Sequence, residues 1–145
     1  MSRSPGRIAN FRTLYHGQAT VGAPTRFGLF LIRRSGSWAN EWAAINAERR
    51  PAPPPPLVDL AHETVVVLAV GTRAHLGYDV TIEDVTVQGS TLVVTGVERR
   101  PVDGVMLDTA CSPVHIVAAR FGPEAFEDML LNLRIKPADV SDLTM

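Results

Sequence analysis

The sequence has a single cysteine, Cys111, so it can form no intrachain disulfide, which is compatible with a reducing compartment. No apolar run approaches the roughly 18 residues that a membrane-spanning helix needs. Residues 1–7 carry positive charge, but no apolar stretch follows them, so no secretory signal is visible. These absences predict a cytoplasmic protein, or a secreted or surface-exposed one if the N-terminus is incomplete.

Charge and metal-binding patterns are equally sparse. The net charge of -1 argues against a dominant electrostatic attraction for nucleic acid or an anionic membrane. His16, His62, His75 and His115 do not have the spacing of metal ligands, and Cys111 has no CxxC partner. We therefore expect no cofactor, no metal, no nucleic acid and no membrane among the ligands of this chain.

The central stretch, residues 64–83, contains the strongest pattern. Residues 64–71 form an apolar run rich in β-branched side chains, which is typical of a strand buried on both faces. Residues 78–83 alternate apolar and polar side chains, the period of a strand with one solvated face. The polar connection 72–77, which contains a glycine, predicts that the two strands pair as an antiparallel hairpin.

Other segments complete an α+β prediction for one domain, 1–145: mainly an antiparallel β-sandwich or half-barrel. A helix at about 37–49 starts at Ser37 as N-cap and must stop by Arg50, because Pro51 follows. A second, C-terminal helix is predicted at about 123–135 from an apolar face at helical spacing. Further strands are predicted at 11–15, 27–33, 91–98, 105–107 and 114–120, and residues 1–10 are expected to be disordered.

The proline-rich segment 51–56 favours an extended polyproline conformation. It could bind an aromatic-lined groove in another protein, but a rigid spacer between helix and strand is the favoured interpretation. The apolar faces together predict one core, formed by Trp42, Val65, Val67, Leu68, Tyr78, Val80, Ile82, Leu92, Val94 and Ile116.

The sequence contains no strong catalytic motif. Cys111, His115 and Asp108 could form a thiol-protease site. However, a four-residue gap in a strand separates Cys111 and His115 by about 13 Å, so a buried cysteine is favoured. We therefore expect a protein that is not an enzyme.

Several motifs in order resemble the C-terminal domain of PrcB, a protease-complex subunit. They are the strand 63–71 ending in glycine, the segment 75–82, and the strand 112–117 that begins Ser-Pro-Val-His. Upstream, Ser-Trp-Ala-Asn-Glu-Trp at 37–42 and Pro-Leu-Val-Asp-Leu at 56–60 resemble segments that often precede that domain. The resemblance covers roughly 25–120; Leu76 stands where a second glycine is usual, and Val114 where an aromatic is usual.

The resemblance implies a non-enzymatic module that binds a protein partner, which could be a protease, or stabilises a complex. A homo-oligomer is also compatible with it. The alternative is a protease inhibitor of the immunoglobulin-like type that presents the 72–78 loop.

In either case the predicted partner-binding residues are Arg73, His75, Leu76, Gly77 and Tyr78. They supply charge, hydrogen bonding, an apolar tip and a backbone turn between two stiff strands. A simple hairpin loop with the tyrosine in the core remains an open alternative. Arg99 and Arg100 are expected on the opposite face.

Overall fold

The strands of the computed structural model form two stacked four-stranded sheets in the described parts of the chain, residues 7–19, 27–74, 76–101, 110–121 and 125–137. The order in the first sheet is β1-β5-β6-β8 and in the second β2-β7-β4-β3. In chain order the elements are β1 (Arg7–Ile8), β2 (Phe11–Gln18), β3 (Phe27–Ile32), α1 (Ser35–Ile45), β4 (Thr64–Val70), β5 (Asp79–Gln88), β6 (Thr91–Arg100), β7 (Pro113–Ala119) and β8 (Asp128–Pro137). The sandwich with a packed helix that the sequence predicts is therefore present.

The central strands of the second sheet are β4 and β7, and every residue in both is buried. This confirms the predicted strand with two buried faces, because one face meets the first sheet and the other meets α1. The predicted hairpin between β4 and β5 is wrong. The two edges of β4 pair with β3 and β7, so the 71–78 connection crosses between sheets instead of closing a hairpin.

The first sheet contains a hairpin of β5 and β6, which turns at Gly89 with φ +60°. A register shift between Ile82 and Asp84 breaks the alternation of β5. The β-bulge at this shift inserts one residue into β5 and so moves the inward-facing positions by one. Val80 and Ile82 before the bulge and Val85 after it therefore all point into the core.

The predicted C-terminal helix at 123–135 is wrong: residues 125–135, which the structure describes, are not helical. Residues 123 and 124 lie outside the described part of the chain. Residues 128–137 are strand β8, which runs parallel to β6. The same residues carry a period-2 pattern beside the helical one, and Leu131 and Leu133 pack against the core between the sheets. Pairing with the open edge of β6 decides which of the two patterns is used.

The N-terminal prediction also needs correction. Residues 7 and 8, expected to be disordered, form β1 and pair with β5. The Ala9 amide donates to the Val85 carbonyl at 2.8 Å, and the Ala9 side chain is buried. Residues 1–6 and the predicted strand 105–107 lie outside the described residues.

Helix α1 covers the outer face of the second sheet with Trp38, Trp42 and Ile45. It begins two residues before Ser37 and ends at Ile45, not near Arg50. It is too short to cross a membrane, and no other helix in the described residues could do so.

The core is therefore double, not single. Val65, Val67 and Ile116 join Trp42 beneath the helix, whereas the other predicted core residues lie between the sheets. Tyr78 is the exception, because it is only partly buried.

The proline-rich segment packs along α1. The indole Nε1 of Trp42 donates to the Pro53 carbonyl at 2.8 Å, and that of Trp38 donates to the Pro56 carbonyl at 3.2 Å. The three-residue spacing matches the three residues per turn of polyproline II, whose carbonyls have no internal partners. The tryptophans thus fix the path of the chain from α1 towards β4.

Candidate functional site

The loop between β4 and β5 is held at both ends. Arg73 and Cys111 exchange two backbone hydrogen bonds of 2.7 and 2.9 Å, and the Gln18 side-chain amide donates to the Tyr78 carbonyl at 3.2 Å. Gly77 adopts φ +102°, and a Cβ there would lie 3.0 Å from the Cβ of Pro101. A larger residue at this position would meet both backbone strain and a close contact. The loop therefore has a defined shape on either side of residue 75, which lies outside the described residues.

The Arg73 side chain forms a two-pronged ion pair with Glu98, with distances of 2.9 and 3.1 Å. Glu98 is 1% exposed, and Arg100 contacts the same carboxylate at 3.3 Å. The Arg73 guanidinium also lies 5.7 Å from the centre of the Tyr78 ring. Burying a carboxylate is costly unless it is paired, so these arginines stabilise Glu98 in the sandwich.

The ion pairs of Glu98 correct the expected position of Arg100. Arg100 lies beside the loop, not on an opposite face, because it and Arg73 share one carboxylate. Among the predicted site residues, Gly77 is exposed and Leu76 and Tyr78 are partly exposed. We call the surface formed by Arg73, Leu76, Gly77, Tyr78 and Arg100 the loop patch.

A polar cluster beside the loop patch connects the two sheets. The Ile82 amide donates to Nδ1 of His115 at 2.8 Å, so this nitrogen carries no proton. The other nitrogen, Nε2, then donates to the Thr13 hydroxyl at 2.9 Å. Nearby, His16 Nε2 lies 2.9 Å from Asp79, and the two imidazole rings are 4.5 Å apart. His115 therefore fills a position between the sheets as a neutral side chain.

The pKa values of the two histidines of this cluster are shifted in opposite directions. The hydrogen bond to Asp79 raises the pKa of His16. Burial, together with the charge of His16, lowers the pKa of His115 to about 4. Although burial opposes it, the hydrogen bond from His16 lowers the pKa of Asp79. The cluster thus holds one ion pair at its rim and one neutral imidazole inside.

The geometry of this cluster does not match a hydrolase triad. A triad uses one imidazole nitrogen for the nucleophile and the other for the carboxylate. Here the same His16 Nε2 lies 2.9 Å from Asp79 and 3.4 Å from the Thr81 hydroxyl. No group of three potential metal ligands occurs within the ranges that the structure describes.

Cys111 does not have the environment of an activated thiol. It is 2% exposed, and burial raises its pKa, whereas a nucleophilic cysteine needs a lowered one. His115 uses both ring nitrogens in the bonds to Ile82 and Thr13. Asp108, the third member of the considered triad, lies outside the described residues.

An open cleft of about 710 Å³ lies between β3, the start of α1 and residues 125–129. Leu29, Leu31 and Phe126 contribute apolar surface, and Glu41 and Glu127 add acidic groups. The Arg33 guanidinium lies 5.3 Å from the centre of the Phe126 ring, a cation–π distance.

Some of these contacts had a signal in the sequence and others did not. Leu92 and Val94 lie on the inner face of β6, and the same alternation continues to Glu98, so a buried carboxylate could have been expected. His16 and His115 are 99 positions apart and become neighbours only because β2 pairs with β7 in that register.

Comparison with protein-family models finds no match to this chain, and comparisons with curated proteins and with solved structures find none either. The resemblance to PrcB therefore stays a prediction that depends on the motifs quoted above.

Proposed function

We propose that this protein is a non-enzymatic module that binds a protein partner or stabilises a complex through the loop patch. The observation that carries the proposal is that both described sides of this exposed loop are anchored, by the Arg73–Glu98 ion pair on one side and the Gln18–Tyr78 hydrogen bond on the other. A loop whose two sides are already anchored loses less conformational entropy on binding than a free loop, so more of the contact energy appears as affinity.

The composition of the loop patch also favours protein recognition. Tyrosine and arginine are enriched at protein interfaces, where they often carry much of the binding energy. The Arg73 guanidinium lies within cation–π distance of the Tyr78 ring, and Leu76 adds an apolar side chain beside an exposed glycine. The resemblance to PrcB agrees with this assignment and suggests a protease or its complex as the partner.

A protease inhibitor is the second candidate. Inhibitors that occupy a protease cleft need a narrow loop held in one conformation by a rigid scaffold, and the 72–78 loop meets that requirement on its described sides. This candidate differs from the first in its assay, because it predicts loss of protease activity on binding and not only capture.

The test compares Leu76→Glu with Leu57→Glu in affinity capture from extracts of the native source, followed by quantitative mass spectrometry. Leu57 is 91% exposed and lies outside the loop patch, so it is a matched control for adding a charge to a surface leucine. We expect at least about a tenfold loss of captured partner for Leu76→Glu, equivalent to about 1.4 kcal/mol, and no loss for the control.

Arg73→Ala is unsuitable for this test because it would leave buried Glu98 with Arg100 alone and so alter folding. Equal capture by wild type and both leucine variants would contradict the loop patch as the binding site. Inhibition of proteases in a panel by the wild type, lost in Leu76→Glu, would favour the inhibitor. Capture without inhibition would favour the complex-stabilising module.

A further inference from the structure

Strand β8 is an edge strand with an exposed apolar surface. It pairs with β6 on one side, and within the described residues no strand pairs with its other side. Met129, Leu130 and Ile135 are 49%, 50% and 55% exposed. Long apolar edges usually acquire a pairing partner or carry features that prevent pairing. We propose that β8 pairs antiparallel with β8 of a second copy of this chain, across a two-fold axis at Asn132.

When two copies of β8 are placed antiparallel with Asn132 at the centre, the residues that face each other are chemically complementary. In antiparallel pairs, residues directly opposite each other lie on the same face. With Asn132 opposite itself, Asp128 faces Lys136 and Met129 faces Ile135. The full set of opposed positions is 128 with 136, 129 with 135, 130 with 134, 131 with 133, and 132 with itself.

Each opposed pair is chemically compatible. Asp128 and Lys136 carry opposite charges, and because the interface is two-fold this pair occurs twice. Met129 and Ile135 would cover each other on the core side, in line with Leu131 and Leu133, which already pack against the core. Oppositely charged and apolar cross-strand pairs both stabilise antiparallel sheets.

The outer face fits the same register. Arg134 lies opposite Leu130, and its head group is already paired with Glu83 of the same copy. Its aliphatic stem can therefore cover the leucine without an unpaired charge at the contact. The result is a continuous eight-stranded sheet, and this inference does not depend on the loop patch.

The other edge strands of the two sheets are β1, β2 and β3, and none of them contains an acidic residue that could pair with a basic one across a two-fold axis. Among them, β3 provides the competing arrangement that a control variant tests. Phe27 of β3 is 56% exposed, but the described strand Phe27–Ile32 has no charged residue that could set an antiparallel register. Charge complementarity therefore favours β8 as the self-pairing edge, and Phe27→Lys is the control variant for association through β3.

The test is a charge reversal measured by sedimentation velocity at low ionic strength over a concentration series. The wild type should move from the 15.7 kDa monomer towards twice that mass as concentration rises. Asp128→Lys places a lysine opposite Lys136, and Lys136→Asp places an aspartate opposite Asp128. Each variant alone should dimerise about tenfold more weakly than wild type, because both symmetric pairs become repulsive.

Mixing the two variants is the decisive measurement. In the mixed dimer both opposed positions are oppositely charged again, so heterodimers should form with the wild-type affinity. Phe27→Lys should leave dimerisation unchanged, and circular dichroism should show the same strand content in all variants. A wild type that stays monomeric, a mixture that fails to recover dimers, or loss of dimers in Phe27→Lys would each overturn the proposal.

Discussion

Replacing His115 tests the account of the polar cluster between the sheets most directly. The imidazole is 3% exposed, accepts from the Ile82 amide and donates to Thr13. We choose His115→Asn because the amide oxygen can take the place of Nδ1 as an acceptor while the side chain no longer titrates. The residues that face this ring and influence its charge are His16 and Asp79.

The expected magnitude follows from the pKa. In the folded protein the pKa of His115 is lowered to about 4, from the ordinary histidine value of 6.5 that applies to the unfolded chain. Below pH 6.5 the unfolded chain therefore binds a proton that the folded protein does not, so the stability is present above pH 6.5 and is lost as pH falls towards 4. Linkage gives a loss of about 2 kcal/mol at pH 5 and about 3 kcal/mol at pH 4 from this residue.

Urea unfolding at pH 7.5 and pH 5 provides the measurement. The free energy of unfolding of wild type should fall between these values by about 2 kcal/mol more than that of His115→Asn. Thr13→Val is the control: it removes the hydrogen-bond partner but keeps the titrating ring, so its pH dependence should follow wild type. The same pH dependence in wild type and His115→Asn would refute the assignment of a buried neutral imidazole.

Two further predictions concern the helix face and the cysteine. Trp42→Ala should lower the free energy of unfolding by about 3–5 kcal/mol, and Trp42→Phe by about 1 kcal/mol for the lost hydrogen bond to Pro53, both measured by urea unfolding. A cost for Trp42→Ala below about 1 kcal/mol would contradict its burial. Cys111→Ala should leave partner capture unchanged, and the native thiol should react with a disulfide reagent only after unfolding, because it is buried and its pKa is raised. Fast reaction of the folded protein would contradict this.

Elements whose residue pattern favours a single arrangement could be predicted before the fold was known. An apolar run rich in β-branched residues, such as 64–70, is typical of a strand that is covered on both sides, and the structure confirms it. The i, i+4 and i+7 spacing of Trp38, Trp42 and Ile45 places them on one helical face, and the structure buries that face against the second sheet. These predictions hold because burial along one element is a local property of its sequence.

Features that depend on which strands are neighbours could not be predicted from local patterns. Residues 128–137 satisfy both a helical and an alternating pattern, and the free edge of β6 selects the strand. The hairpin expected from β4 and β5 does not form because β3 and β7 occupy both edges of β4. Likewise, Glu98 pairs with Arg73 from the β4–β5 connection, and His115 bonds to Thr13 of β2 and Ile82 of β5. No local pattern encodes the strand register that brings these groups together.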